Sequence, residues 1–490
     1  MILERKLNFE PKMVFEYFED LTRIPRGSGD EKAVSDYLVD FAKKHNLEYI
    51  QDDAMNVIIK KPAYKGYEDI DAVILQGHMD MVNEKNNDKV HDFSKDPLTL
   101  KIIDDHIYAD DTTLGADNGI AVAMTMAILS SNDIPHPAIE AVFTVEEETG
   151  LVGAYKLDAS NLKGKYLINL DSEEEGELLV SCAGGSRTRM SVPVDFTNIS
   201  GTFITYKISI SGLKGGHSGM DIIKGRGNSN KIMGRLLTDL AHILSFEIFS
   251  INGGSKMNAI PRECDAVIAI TEKDKQNLES FIEQWNESLK NELMGKDENA
   301  KVEMKAVPAP SDRVLDEESK QRALAAIMII PSGINSMSTA IDNLVESSVN
   351  LGIITMNDEY MMMESAVRSS VKSLKKNIID QYKAAAYLTG SELSIDSDYP
   401  EWQYNPDSKL RTLFEKVYKD MNNKDSKIVA IHAGVECGLF KEKMSDLDMI
   451  SLGPNMAEVH TPNEHLSISS VKRTYEYLLE VLKRFKEIDL

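Results

Sequence analysis

The stretch ILQGHMDMV, residues 74–82, runs from an apolar segment into His78 and Asp80. In a strand, residues i and i+2 share a face, so the imidazole and the carboxylate stand side by side. A carboxylate that holds one ring nitrogen leaves the other free for a metal. By itself the pair also reads as a polar, solvated strand end. Four further stretches carry acids or histidines where an apolar run stops. DTTLGADNGIAVA puts Asp117 just ahead of a helix, where Asp also serves as an N-cap. FTVEEETG places Glu146, Glu147 and Glu148 between an apolar strand and Gly150. INLDSEEEG ends a strand at Asp171, and AEVHTPNEH sets His460 in a loop ahead of the last helix. Two imidazoles with three or more carboxylates suit a two-metal site, in which one carboxylate bridges and neutral histidines give nitrogen ligands. The mixed donor set favours zinc, cobalt or manganese over calcium or magnesium.

The elements around these residues form two patterns. Apolar residues recur at helical spacing over 10–24, ahead of Pro25, and over 30–46, with Asn46 suited to the C-terminal cap. Strands follow at 56–62 and 71–80, an apolar helix at 119–133, and strands ending in acids at 138–150 and 163–174. Such alternation gives an α/β sheet flanked by helices, with ligands gathered beyond the carboxyl ends of the strands. Near Gly184 the pattern changes to hairpins and longer helices. Helix 230–246, a hairpin and helix 275–293 are echoed by helix 317–330, a hairpin and helix 370–388, as in two βαββαβ-like halves. The first pattern then returns: a helix over 408–423, a strand running into a loop over 426–440, a strand over 446–454 and a closing helix over 469–488. The expected division is therefore a catalytic domain in two parts, 1–186 and 397–490, with 187–396 inserted, an arrangement that surface loops tolerate.

A chain of 490 residues is too long for one ordinary core. Its 42% hydrophobic and 27% charged residues are ordinary for a globular protein. With 79 Asp and Glu against 55 Lys and Arg, the net charge of −24 argues against nucleic acid or an anionic membrane as partner. The longest apolar run, around Ala121, falls far short of the roughly 20 residues of a membrane span. MILERKLNFEPK has no long apolar core, so no secretory leader is expected. Cys182, Cys264 and Cys437 are odd in number and widely spaced, which fits a reducing, cytoplasmic compartment without a disulfide framework.

GHMD, GADNG, EETG, NLD and EVHTP, in this order and over essentially the whole chain, resemble the pattern of the co-catalytic zinc peptidases related to aminoacylase-1 and carboxypeptidase G. SCAGGSR, GGHSG, HAGVECG and GPNMAEVHTP resemble most the aminoacyl-histidine dipeptidase branch of that family. The resemblance implies a zinc-exopeptidase-like mixed sheet flanked by helices, with an inserted α+β, ferredoxin-like lid or dimerisation domain. It implies two zinc ions per subunit, with Co2+ or Mn2+ able to substitute. Asp117 would bridge them, His78 and Asp171 completing one site and Glu148 and His460 the other. Asp80 would orient His78. Glu147, three positions before Gly150, would be the general base, leaving Glu146 a bystander. A cis peptide would follow Asp117. His217 would reach the developing oxyanion, although a His in a Gly-rich loop also reads as a solvated turn. Asn258 and Arg368 would hold the substrate, Arg being suited to a terminal carboxylate; Arg368 also reads as a surface strand charge. His432, Gly434 and Glu436, at a strand end, would add substrate contacts. The implied activity is metal-dependent hydrolysis of small peptides, above all Xaa-His dipeptides such as β-Ala-His. A homodimer is implied through the insert, unless a duplicated insert mimics a dimer within one chain. General di- or tripeptidases, N-acyl-amino-acid hydrolases and a non-catalytic metal-binding protein remain open alternatives.

Overall fold

The strands Val73–His78 and Ile139–Thr144 are buried at every position. Strands of this kind belong in the middle of a sheet covered on both faces, which is where near-continuous apolar sequence is stable. A computed structural model describes residues 6–488. Residues 1–5, on which the expectation of no leader partly rests, lie outside the described residues.

The chain divides into two compact units. Within the described residues, the first takes 6–181, Tyr404–Ala430 and 435–488. Its eight-stranded sheet runs in the order Glu48–Gln51, Val57–Lys61, Ile139–Thr144, Val73–His78, Tyr166–Asn169, Asp448–Ser451, Glu177–Cys182, Lys427–Ile431. The four strands from Ile139–Thr144 to Asp448–Ser451 are mutually parallel, and Glu48–Gln51, Val57–Lys61 and Ile139–Thr144 pair antiparallel. This is the expected mixed sheet. Helix Ala116–Ser130, apolar almost throughout, packs on Val73–His78 and on helix Lys12–Leu21. A close approach explains Gly77: a Cβ there would lie 2.5 Å from Asn118 Oδ1 and 2.8 Å from the Ala121 Cβ. Asn46, at φ 54°, follows helix Lys32–Lys44 in the left-handed conformation expected of a cap. Beyond strand Lys427–Ile431 the expected loop is short, residues 432–435, and Glu436–Lys443 is a helix.

The second unit takes Cys182–Gln403 and Ile431–Gly434. Its antiparallel sheet runs Lys301–Ala306, Ile204–Ser211, Cys264–Ile270, Glu247–Gly253, Val345–Met356, Tyr360–Ser369, Gly184–Pro193, Glu392–Tyr399. Strand Gly333–Met337 pairs beside Val345–Met356. The first four strands, with helices Ser229–Ala241 and Lys275–Glu292, form one βαββαβ unit. The last four, with helices Glu317–Ile329 and Lys372–Thr389, form a second. The two join edge to edge through Gly253 and Ile354. One apolar core, including Leu236, Phe246, Leu278, Ile327, Leu351 and Tyr382, underlies both halves. Among the described residues, no helix is long and apolar enough to cross a membrane.

Candidate active site

Three adjacent parallel strands deliver acids and a histidine at their carboxyl ends. His78 closes Val73–His78, and Asp80 lies two residues on. Glu147 and Glu148 follow Ile139–Thr144, and Asp171 follows Tyr166–Asn169. Asp117 sits in the first turn of helix Ala116–Ser130, where it and Asn118 leave helical φ/ψ, and their peptide bond is cis. His460, at φ 61°, lies in the loop between Met456–Ala457 and His465–Ser467.

The two oxygens of Asp117 face different imidazoles. Oδ1 is 3.1 Å from His78 Nε2, and Oδ2 is 3.1 Å from His460 Nε2. Asp171 Oδ1 lies 3.4 Å from His78 Nε2, and Glu148 Oε1 lies 2.8 Å from His460 Nε2. Ligand atoms of His78, Asp117 and Glu148 fall within 4.8 Å of one another. His460 is the open side, its side chain 46% exposed, whereas that of His78 is 1% exposed.

Asp80 is fully buried and faces four neighbours. Its Oδ1 lies 3.2 Å from His78 Nδ1 and accepts the Glu147 backbone N–H at 3.1 Å. Its Oδ2 accepts the Glu148 N–H at 3.3 Å and the Ser28 hydroxyl at 2.8 Å. One carboxylate thus lies against the imidazole and accepts from the turn that carries both glutamates. Glu146, at φ 48°, gives its N–H to Glu31 at 3.1 Å and takes no part in this grouping.

These donors fit metal ions. Zinc ligands at about 2.0–2.1 Å in a tetrahedron stand about 3.3 Å apart, close to the 3.1, 3.4, 3.1 and 2.8 Å separations of the two half-sites. The electrostatics point the same way. Burial disfavours the His78 cation, yet Asp171, Asp117 and Asp80 outweigh it and hold its pKa well above the ordinary value. Hydrogen bonds to Asp117 and Glu148 push His460 up to about 10. Burial and neighbouring carboxylates push Asp171 up to about 6, Glu173 up to about 7 and Glu147 well above the usual range. So many acids crowded together carry an excess of negative charge that divalent cations would neutralise.

A second grouping lies within the second unit. His217 Nδ1 accepts the backbone N–H of Gly219 and Met220 at 3.3 and 3.0 Å. In the neutral ring the hydrogen is therefore on Nε2. Burial and the charge of Arg368, whose Nη2 is 3.4 Å from Nε2, keep the His217 pKa below its ordinary value. Arg368 Nη1 donates to the Tyr399 hydroxyl at 2.9 Å. His432 Nε2 is 2.7 Å from Ser348 Oγ, and burial with Arg368 and His217 lowers its pKa to about 3. Gly434 leaves room for the Tyr399 ring, since a Cβ there would lie 2.6 Å from it. Asn258 is tied to the His217 loop by its carbonyl, which accepts the Ser218 N–H at 2.9 Å.

Glu436, expected among the substrate contacts, is fully buried in the first unit, beside the strand ends. Its Oε2 accepts Gln76 Nε2 at 2.5 Å and Thr144 Oγ1 at 2.9 Å, while Gln76 Oε1 accepts Asn169 Nδ2 at 2.6 Å. Sequence reasoning missed the other members of this network. Gln76 and Asn169 each precede a site residue by two positions, so strand alternation marks their face. Arg26 and Glu464, both buried, bind the backbone around Asp117 and were missed as well. Glu464 lies four residues after His460, and this proximity is its only mark; IPRGS gives none for Arg26.

The model for the family Peptidase family M20/M25/M40 matches residues 74–484. The chain is 37% identical over 473 residues to the cytosol non-specific dipeptidase of Escherichia coli, covering 96% of this chain and 97% of that protein. It is similar to the crystal structure of an aminoacylhistidine dipeptidase from Vibrio alginolyticus, with a TM-score of 0.95, 36% identity and 98% of each chain covered. An aminopeptidase PepT from Bacillus cereus shares the fold at 15% identity, with a TM-score of 0.56 over 98% of this chain and 99% of that one.

Proposed function

Because the chain belongs to the peptidase family M20/M25/M40, we propose that it is a two-zinc dipeptidase that cleaves Xaa-His peptides, β-Ala-His among them. The observation that carries the two-metal part of this reading is Asp117, which offers one oxygen to His78 and the other to His460. His78, Asp117 and Asp171 would hold one ion and Asp117, Glu148 and His460 the other. Two such ions would lower the pKa of a shared water and polarise the scissile carbonyl.

The chain's own groups do the rest. Asp80 keeps His78 in the tautomer whose Nε2 is free to bind. Glu147 takes the proton of the attacking water and returns it to the leaving amine. Burial, with the neighbouring acids, favours its protonated form, so it acts as a base once positive charge sits beside it. His217 supplies its Nε2–H to the developing oxyanion. Arg368 pairs with the terminal carboxylate, and Asn258, His432 and Gly434 shape the rest of the peptide's surroundings.

A histidine preference is supported by the Vibrio relative, an aminoacylhistidine dipeptidase. The Escherichia coli relative, a non-specific dipeptidase, favours the broader reading. Hydrolysis of β-Ala-His, Gly-His, Leu-Gly, a tripeptide and an N-acetyl amino acid separates them. Cleavage confined to the first two supports the Xaa-His reading, equal rates on Leu-Gly the broader one, and rates highest on the tripeptide or acyl substrate neither. The cytoplasmic location follows the Escherichia coli relative and is tested by fractionation. The insert, over 187–396, serves as lid and dimerisation domain, and exposed Met328, Ile329, Ile334 and Met337 support the second of these roles. Sedimentation of the purified protein tests the homodimer.

A further inference from the structure

Glu464 is 2% exposed and surrounded by backbone donors. Its Oε2 accepts the N–H groups of Leu114 at 2.7 Å and Gly115 at 3.0 Å. Its Oε1 accepts those of Ala116 at 2.7 Å and Asp117 at 3.3 Å. Arg26, 1% exposed, works from the carbonyl side. It donates to Gly115 O and, through Nη1, to Met79 O at 3.0 Å and Asp80 O at 3.1 Å. The turn needs this support. Gly115 stands at φ 65°, Asp117 and Asn118 are not helical, and N–H groups at a helix start have no partner within the helix. Both glycines of GADNG face the guanidinium, and a Cβ on Gly115 or Gly119 would run into it.

We infer that Glu464 and Arg26 are positioning residues that clamp the turn 114–117 from its donor and acceptor sides, so that Asp117 presents one oxygen to each histidine. The inference rests on the reading of Asp117 as a bridge between two metals. Arg26 also ties this turn to the strand end that carries His78 and Asp80. Glu464 shares the loop 458–464 with His460, so one segment supplies both an imidazole facing Asp117 and the carboxylate that holds its backbone. Glutamine cannot replace Glu464. An amide has one acceptor oxygen, and its NH2 would confront two of the N–H donors.

Hydrogen exchange on the wild-type protein comes first, because it needs no variant. The amides of residues 114–117 are expected among the slowly exchanging ones; exchange at the rate of an open loop overturns the clamp. Zinc affinity and the Co2+ absorption spectrum are then compared for wild type, Glu464→Gln and Arg26→Lys, with circular dichroism as the check on folding. Loss of such outer partners typically costs 10–100-fold in metal affinity. That loss is expected here, with a changed Co2+ spectrum and a lower kcat at little-changed KM. Wild-type affinity and spectrum in the folded variants overturn the inference. If a variant does not fold, the wild-type exchange result decides. Failure of the wild-type protein to take up two equivalents of metal would instead remove the bridging reading, and this inference with it.

Discussion

Asp80 Oδ1 lies 3.2 Å from Nδ1 of His78, the ring nitrogen opposite the one that faces Asp117 and Asp171. The same carboxylate accepts the backbone N–H of Glu147 and Glu148. Asp80→Asn replaces one acceptor oxygen with a donor, so it loosens the imidazole and the glutamate turn together. Zinc affinity should fall about 10–100-fold, measured by competition with a chelator of known strength. An affinity equal to wild type would mean that His78 is aimed by strand geometry alone.

Glu147→Gln should bind metal as wild type does and lose about 10²–10⁴ in kcat, the usual worth of a general base. Metal analysis alongside steady-state kinetics gives both numbers. Glu146→Ala is the control for register and should be nearly neutral, since Glu146 stands outside the grouping. Activity lost in Glu146→Ala and kept in Glu147→Gln would exchange the two assignments.

His217→Ala should lower kcat by about 10²–10³, the cost of losing one donor to an oxyanion. Metal content should not change, because His217 lies outside the donor set around Asp117. A raised KM with kcat intact would make His217 a binding residue. Unaltered kinetics would leave it a turn residue.

His432 gives a stability signature. Its folded pKa of about 3 lies below the ordinary histidine value, chiefly through burial. The unfolded chain therefore binds the extra proton first. The contribution of neutral His432 is fully present above about pH 6.5 and is lost as pH falls toward 3, amounting to about 2 kcal/mol by pH 5. His217, also shifted down, adds in the same direction. Urea unfolding between pH 7 and 5 should show a shallower loss of stability for His432→Gln than for wild type. Parallel profiles would mean that His432 is protonated in the folded protein.

The site is legible in the sequence where chemistry and strand periodicity coincide. His78, Asp80, Glu148 and Asp171 follow apolar runs that must be central strands, and their order along the chain resembles that of a known family. The two βαββαβ halves are visible as a repeated helix–hairpin–helix pattern. What stays hidden depends on long-range packing. Arg26 and Glu464 act on backbone groups 53 to 89 and 347 to 350 residues away, and no local pattern encodes such a partner. GVECGLF reads as a loop because it combines glycines with an acid, yet Glu436 opens a helix and meets Gln76 across 360 residues. His432 and Gly434 pack with the second unit although the strand leading to them belongs to the first, a switch that composition does not record.

The most direct test of the central claim is a zinc titration of chelator-treated protein, followed by hydrolysis of β-Ala-His at each step. Turnover should be negligible without metal and should rise to a break at two equivalents per chain. Full turnover after exhaustive chelation, with no transition metal found by elemental analysis, would contradict it.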